Sequence, residues 1–136
     1  MIEPSESPRI EPAAGTYYHS VRSASPDPAD FKSQTQQGRA PRGARAQNPD
    51  YVRWFNGVSV HDTPEQTRRN AEYFDWKIGE FVAEIVIPEG TVVTYERLNE
   101  HGHGNLYNTT PEFLADCVTR IFHEGEIAKF HRQEQM

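Results

Sequence analysis

Apolar and polar positions along this chain follow two periods, one of two residues and one close to 3.6, and the changes between them predict its elements. GTYYHSVRS, residues 15–23, alternates and carries aromatic and β-branched side chains that suit a pleated surface, so it predicts a strand. Ser25-Pro26-Asp27-Pro28 breaks it, and Asp27 with Pro28 behind it starts a short helical piece running through Phe31. Residues 34–48 are polar and predict a loop. In NPDYVRWFN the apolar residues Tyr51, Val52, Trp54 and Phe55 recur at helical spacing, and residues 57–61 then predict a central strand. Thr63, Pro64 and Gln66 occupy the N-cap, first and third positions of a capping box. Behind them Ala71, Phe74 and Ile78 form an inward stripe, with Arg68, Arg69 and Glu72 outward.

FVAEIVI, residues 81–87, is apolar on both faces except at Glu84, which predicts an interior strand. Pro88-Glu89-Gly90 is a turn, and residues 92–97 are expected to pair back as the second arm of a hairpin. HGHGNLYNT reads as a loop leading to a helix capped by Thr110, with Pro111 first and Phe113, Leu114 and Cys117 facing in; residues 118–122 form a last strand. Residues 1–14, rich in Pro, Ser and Glu, predict a disordered leader, and 124–136 a charged tail. The expected architecture is a single α+β domain over 15–123, with a small mixed or antiparallel sheet and short capped helices.

Composition narrows the class. A chain of 136 residues has room for one ordinary domain, and with 35% hydrophobic residues its core is modest. Twenty acidic against fourteen basic side chains give a net charge of −6, which argues against a general nucleic-acid or anionic-membrane binder. No apolar run approaches the roughly 20 residues that span a bilayer. The N-terminus lacks the charged-then-apolar pattern of an export signal. Cys117 is the single cysteine, so no intramolecular disulfide is available. A cytoplasmic location is the default expectation, and export by a dedicated secretion system is compatible with it.

Several residues carry candidate chemistry. His19, between Tyr17-Tyr18 and Ser20, can hydrogen-bond a ligand hydroxyl, or simply sit half-exposed between packing tyrosines. Ser59 places one hydroxyl among valines, which calls for a partner or a purpose. No Gly-x-Ser-x-Gly elbow surrounds it, which argues against a serine hydrolase. Glu84 and Glu96 fall on the two arms of the expected hairpin, as a used carboxylate or as half of a cross-strand ion pair. His101 and His103 supply half of a zinc site at most, since zinc takes three or four ligands, and no metal is expected. A glycine-flanked His103 on a mobile loop suits ligand contact or proton transfer better. Arg39, Arg42 and Arg45 either grip phosphate or are solvated. No P-loop or G-x-G-x-x-G pattern occurs, which disfavours ordinary ATP or Rossmann-type binding.

Taken in order, Tyr18-His19, then GVSVHDTPEQTRRNAEYF, then FVAEIVIPEG resemble the ADP-ribosyltransferase fold over residues 15–97. That family opens on a strand whose His or Arg holds the NAD ribose, which the resemblance places at His19 beside Tyr18. Its second motif, a strand and the helix after it, places Ser59 and Tyr73 beside the nicotinamide. A later strand supplies a Glu, for which Glu96 and Glu84 are candidates, with Glu124 or Glu126 near the end of the last strand. The resemblance implies NAD as substrate, with Arg42 on its phosphates, Glu96 stabilising the transition state and His103 closing over the ligand. The implied activity is mono-ADP-ribosyl transfer to a macromolecular acceptor, a protein or a nucleic acid, or to water. The alternative is a non-catalytic interaction or regulatory module, with an acidic surface and Trp54 or Trp76 in its contact face.

Overall fold

Asp27, Asn48, Thr63 and Thr110 each accept a backbone N–H with the side chain at the start of a helical segment, from Ala29, Asp50, Gln66 and Phe113 respectively. These caps satisfy first-turn amides that the helix itself leaves unpaired. The segments are a 3₁₀ turn Pro28–Phe31 and helices α1 (Pro49–Phe55), α2 (Pro64–Tyr73) and α3 (Pro111–Asp116). In this computed structural model, residues 10–25, 27–73, 79–99, 102–123 and 125 are described. Phe74, Trp76, Ile78, His101, Glu124 and Glu126, and most of the expected tail, lie outside them.

The strands are β1 (Ile10–Pro12), β2 (Gly15–Val21), β3 (Val58–His61), β4 (Phe81–Ile87), β5 (Thr94–Arg97), β6 (His103–Tyr107) and β7 (Val118–His123). Among the described residues they form one sheet in the order β1-β5-β6-β3-β2-β4-β7, with every neighbouring pair antiparallel. The protein is therefore a small α+β protein built on a single antiparallel sheet. No helix among the described residues is long and apolar enough to cross a membrane.

Cross-strand partners share a face. The pairs Tyr17–Ile85 and Val58–Leu106 belong to the buried face, with Val21, Val60 and Ala83. Phe31 from the 3₁₀ turn and Leu114 from α3 complete this core and are fully buried, each contributing about 2 kcal/mol through burial. Alternation turns Ser59, His61, His103, Asn105 and Glu96 to the opposite face.

Two sequence expectations about strand pairing fail. Residues 81–87 and 92–97 do not form a hairpin. β4 is interior, as its double-sided apolar pattern predicts, but its neighbours are β2 and β7. With both edges occupied, the chain leaves the turn at Gly90 and crosses the domain, so that β5 lies between β1 and β6. The second failure lies in HGHGNLYNT, whose residues His103–Tyr107 form strand β6, central between β5 and β3, where a loop is expected. Gly104 makes this possible: a Cβ there would meet the Tyr95 ring and lie 2.6 Å from the Glu96 carbonyl oxygen. Ordered chain also begins upstream of residue 15, for Ile10–Pro12 pair with β5 and Ala13 is buried.

Candidate functional site

β2 and β3 are joined by a single register pair, Tyr18 with His61, whereas β2 pairs with β4 along all seven of its residues. The sheet is thus nearly parted along the β2–β3 line, and side chains fill the seam. The Nδ1 of His19 lies 2.6 Å from the Ser59 carbonyl oxygen, and its Nε2 lies 2.6 Å from the Asp30 carbonyl oxygen. Both partners are acceptors, and a neutral imidazole has one N–H to give. The ring also packs against Phe31 with centroids 5.2 Å apart. His19 therefore braces β3 from the core side, through the backbone of Ser59.

On the opposite face, Ser59 Oγ and His103 Nε2 are 2.8 Å apart. His103 stacks on His61 with ring centroids 5.1 Å apart and planes 27° from parallel. The backbone N–H of His103 donates to Asn99 Oδ1, which fixes the entry of β6. Burial pushes His61 down to about 4, with the nearby His103 and His19 adding to the shift. Burial also lowers His103 from its ordinary value. Near neutral pH both rings are uncharged, and His103 can accept a proton from Ser59 or from a ligand hydroxyl. The two histidines border a hollow of about 260 Å³ whose other walls are Gln66, Arg69, Asn70 and Asn99. The first turns of α2 supply half of that lining, which is what the cap at Thr63 achieves for the site.

Glu96 lies in the same cross-strand row, since Ser59 pairs with Asn105 and Asn105 with Glu96. Its carboxylate is nonetheless engaged. Arg53 of α1 donates to it from Nε and Nη2 at 3.0 and 2.9 Å, and the Tyr107 hydroxyl donates at 2.5 Å. Arg53 is held more firmly protonated, first by its hydrogen bond to Glu96. Burial and the bond to Glu96 push Tyr107 up to about 12. With 4% of its surface exposed, Glu96 anchors α1 to the sheet.

Glu84 is paired across the strand with Arg120 and also accepts from Tyr18 and Thr119. Burial would raise its pKa, but these donors outweigh it and the net shift is downward. Burial raises Tyr18, and its bond to Glu84 adds to that.

The structure thus brings Ser59 and His103 together on one face, with His19 on the Ser59 backbone from the core side, places Tyr18 with Glu84, and sets Glu96 with Arg53. Tyr73 stands at the last residue of α2, 82% exposed, about 15 Å of helix away from the cap. Arg42 lies beside Arg39 in a separate hollow against Phe55. His103 is a strand residue, not part of a mobile loop. His61 escaped sequence reasoning. Its signal is position, since it is the last residue of a central strand just before a capped helix. Among the described residues no group of three His, Cys, Asp or Glu side chains has metal-binding geometry. No protein-family model matches this chain, and neither a curated protein nor a solved structure does.

Proposed function

We propose that the chain binds NAD at the parted β2–β3 line and transfers its ADP-ribosyl group to a macromolecular acceptor or to water. The observation that carries this reading is the Ser59–His103 hydrogen bond of 2.8 Å beside a polar hollow, on a strand braced from beneath by His19. The Ser59 and His103 side chains, far apart in sequence, meet on one face where the sheet parts, and binding clefts favour such places because backbone groups and polar side chains are there together.

In the reaction, the glycosidic bond between the nicotinamide nitrogen and the ribose C1′ breaks, and its electron pair leaves with nicotinamide. The acceptor hydroxyl attacks C1′ and forms the new C–O bond, and its proton passes to His103 Nε2, directly or through Ser59 Oγ. His103 suits this role because burial keeps it neutral. His19 acts from beneath, holding the Ser59 backbone from the core side of the sheet. Such a site acts mainly through positioning and electrostatics.

A thermal melt with NAD tests the binding half. At a hundredfold excess over its dissociation constant NAD adds about 2.7 kcal/mol of stability. Tyr73→Ala, remote from the seam, should leave that gain unchanged. No shift at millimolar NAD removes the reading.

The second reading is a binding module without transfer. It is favoured by the carboxylates, since Glu84 and Glu96 are both committed to arginines. It predicts the same thermal shift and no released nicotinamide.

A further inference from the structure

Residues 31–49 contain four of the fourteen basic side chains, Lys32, Arg39, Arg42 and Arg45, and none of the twenty acidic ones. In a protein of net charge −6 this is a local inversion of sign. It is also built into an ordered backbone. Gln37 and Gly38 donate to the carbonyls of Ser33 and Thr35, and Arg39 donates to that of Gln34. Thr35 donates to the Phe55 carbonyl, which ties the segment to the end of α1. Ser33 and Gln36 close a reciprocal pair, each side chain accepting the other's backbone N–H. Gly38, at φ +83°, makes the turn that returns the chain.

The result is a hollow of about 490 Å³ walled by Arg39, Arg42, Gln34 and Phe55. Among the described residues neither Arg39 nor Arg42 has a carboxylate partner. Arg39 donates to the Gln34 side-chain oxygen, a neutral acceptor that steadies the guanidinium without neutralising it. Asp50, an acidic residue close in sequence, is taken by Arg53. Arg45 points elsewhere, with its guanidinium 5.1 Å from the Tyr51 ring centroid. Two arginines without a carboxylate partner lining one hollow supply a donor set for oxyanions. An aromatic ring beside them provides a surface for a flat apolar group.

We propose that this hollow is a nucleotide site, in which Arg39 and Arg42 hold a diphosphate and the Phe55 ring packs against the attached nucleoside. It stands independently of group transfer, because a nucleoside diphosphate has the required chemistry without any nicotinamide.

Isothermal titration of the full chain with ADP, pyrophosphate and adenosine tests the proposal. ADP binds tightest, pyrophosphate more weakly and adenosine weakest. The double variant Arg39→Ala/Arg42→Ala weakens ADP by about tenfold or more, while Arg45→Ala changes it by less than about twofold, since its guanidinium lies over Tyr51. ADP carries no nicotinamide and its binding is read without any transfer, so a failed transferase reading leaves this result standing. Circular dichroism of the double variant confirms its fold, and Arg39→Lys/Arg42→Lys, retaining charge without the fork, gives an intermediate loss. An unchanged ADP affinity in the double variant overturns the proposal, as does adenosine binding as tightly as ADP. A single-stranded oligonucleotide that binds more tightly than ADP, with steep salt dependence, overturns it in favour of a nucleic-acid contact.

Discussion

The imidazole of His19 reaches across from β2 to lie 2.6 Å from the carbonyl oxygen of Ser59 on β3. It does so where one backbone register pair joins the two strands. A side chain thus supplies cohesion that the ladder does not, and it ends at the residue whose hydroxyl faces His103. Structure and candidate chemistry are coupled through this one contact.

His19→Ala should therefore cost stability as well as ligand binding. Loss of its hydrogen bond and of its packing on Phe31 is expected to remove about 1–3 kcal/mol, read from urea melts, with a protein that still folds. An effect within a few tenths of a kcal/mol would show that the seam is held by something else.

The pairing of Arg53 with Glu96 makes a second claim. Truncating one partner leaves a buried, uncompensated charge, so Arg53→Ala should cost about 3 kcal/mol. Glu96→Gln keeps the shape and should cost less, and in a double-mutant cycle the two changes should be strongly non-additive. Additive costs would mean that the pair is not coupled.

Acid sensitivity follows from His61. Its folded-state pKa, about 4, lies below the ordinary 6.5, so the unfolded chain binds the proton more readily. The contribution of His61 to stability is complete above pH ~6.5 and is lost as pH falls from there through ~4. His103, lowered by burial, acts in the same direction. Melts across this window should show wild type losing stability and His61→Gln losing markedly less. Parallel curves for the two proteins would rule His61 out as the titrating group.

Gly104 is required by the approach of Tyr95 and the Glu96 carbonyl. Gly104→Ala forces β6 away from β5 and should cost about 1–3 kcal/mol. Gly90, in open space at φ +84°, tolerates Asn, and Gly90→Asn should cost under about 1 kcal/mol. Chemical denaturation of the two variants side by side checks the contrast, and equal costs would argue against the central placement of β6.

These residues also mark what the sequence makes legible. Caps at Asp27, Thr63 and Thr110 are local, since a short polar side chain, a proline and a few backbone amides define them within one turn, and all three form as expected. The interior position of β4 is legible because apolar residues fall on both of its faces, Val82 and Val86 on one and Ala83, Ile85 and Ile87 on the other, although Val86 is exposed in the fold. Pairing partners are not local. The turn at Gly90 has the residues of a hairpin, yet β4 satisfies both edges with β2 and β7, 66 residues away at Tyr18–Glu84 and 36 at Glu84–Arg120. β6 is hidden because His103, Gly104 and Asn105 lack the β-branched character of a strand, and the space that Gly104 vacates matters only once Tyr95 is beside it. The site is half legible: His19, Ser59 and His103 stand out as residues, but the commitment of Glu96 to Arg53, 43 positions away, is a tertiary fact.

The central claim is that the Ser59–His103 pair works on a glycosidic bond. Chromatographic measurement of nicotinamide released from millimolar NAD tests it most directly, comparing wild type with His103→Gln. Wild type should release nicotinamide above the protein-free rate. His103→Gln should lower that release by about a hundredfold or more while keeping the NAD-induced thermal shift. Equal release by the two proteins, or none from wild type, contradicts the account.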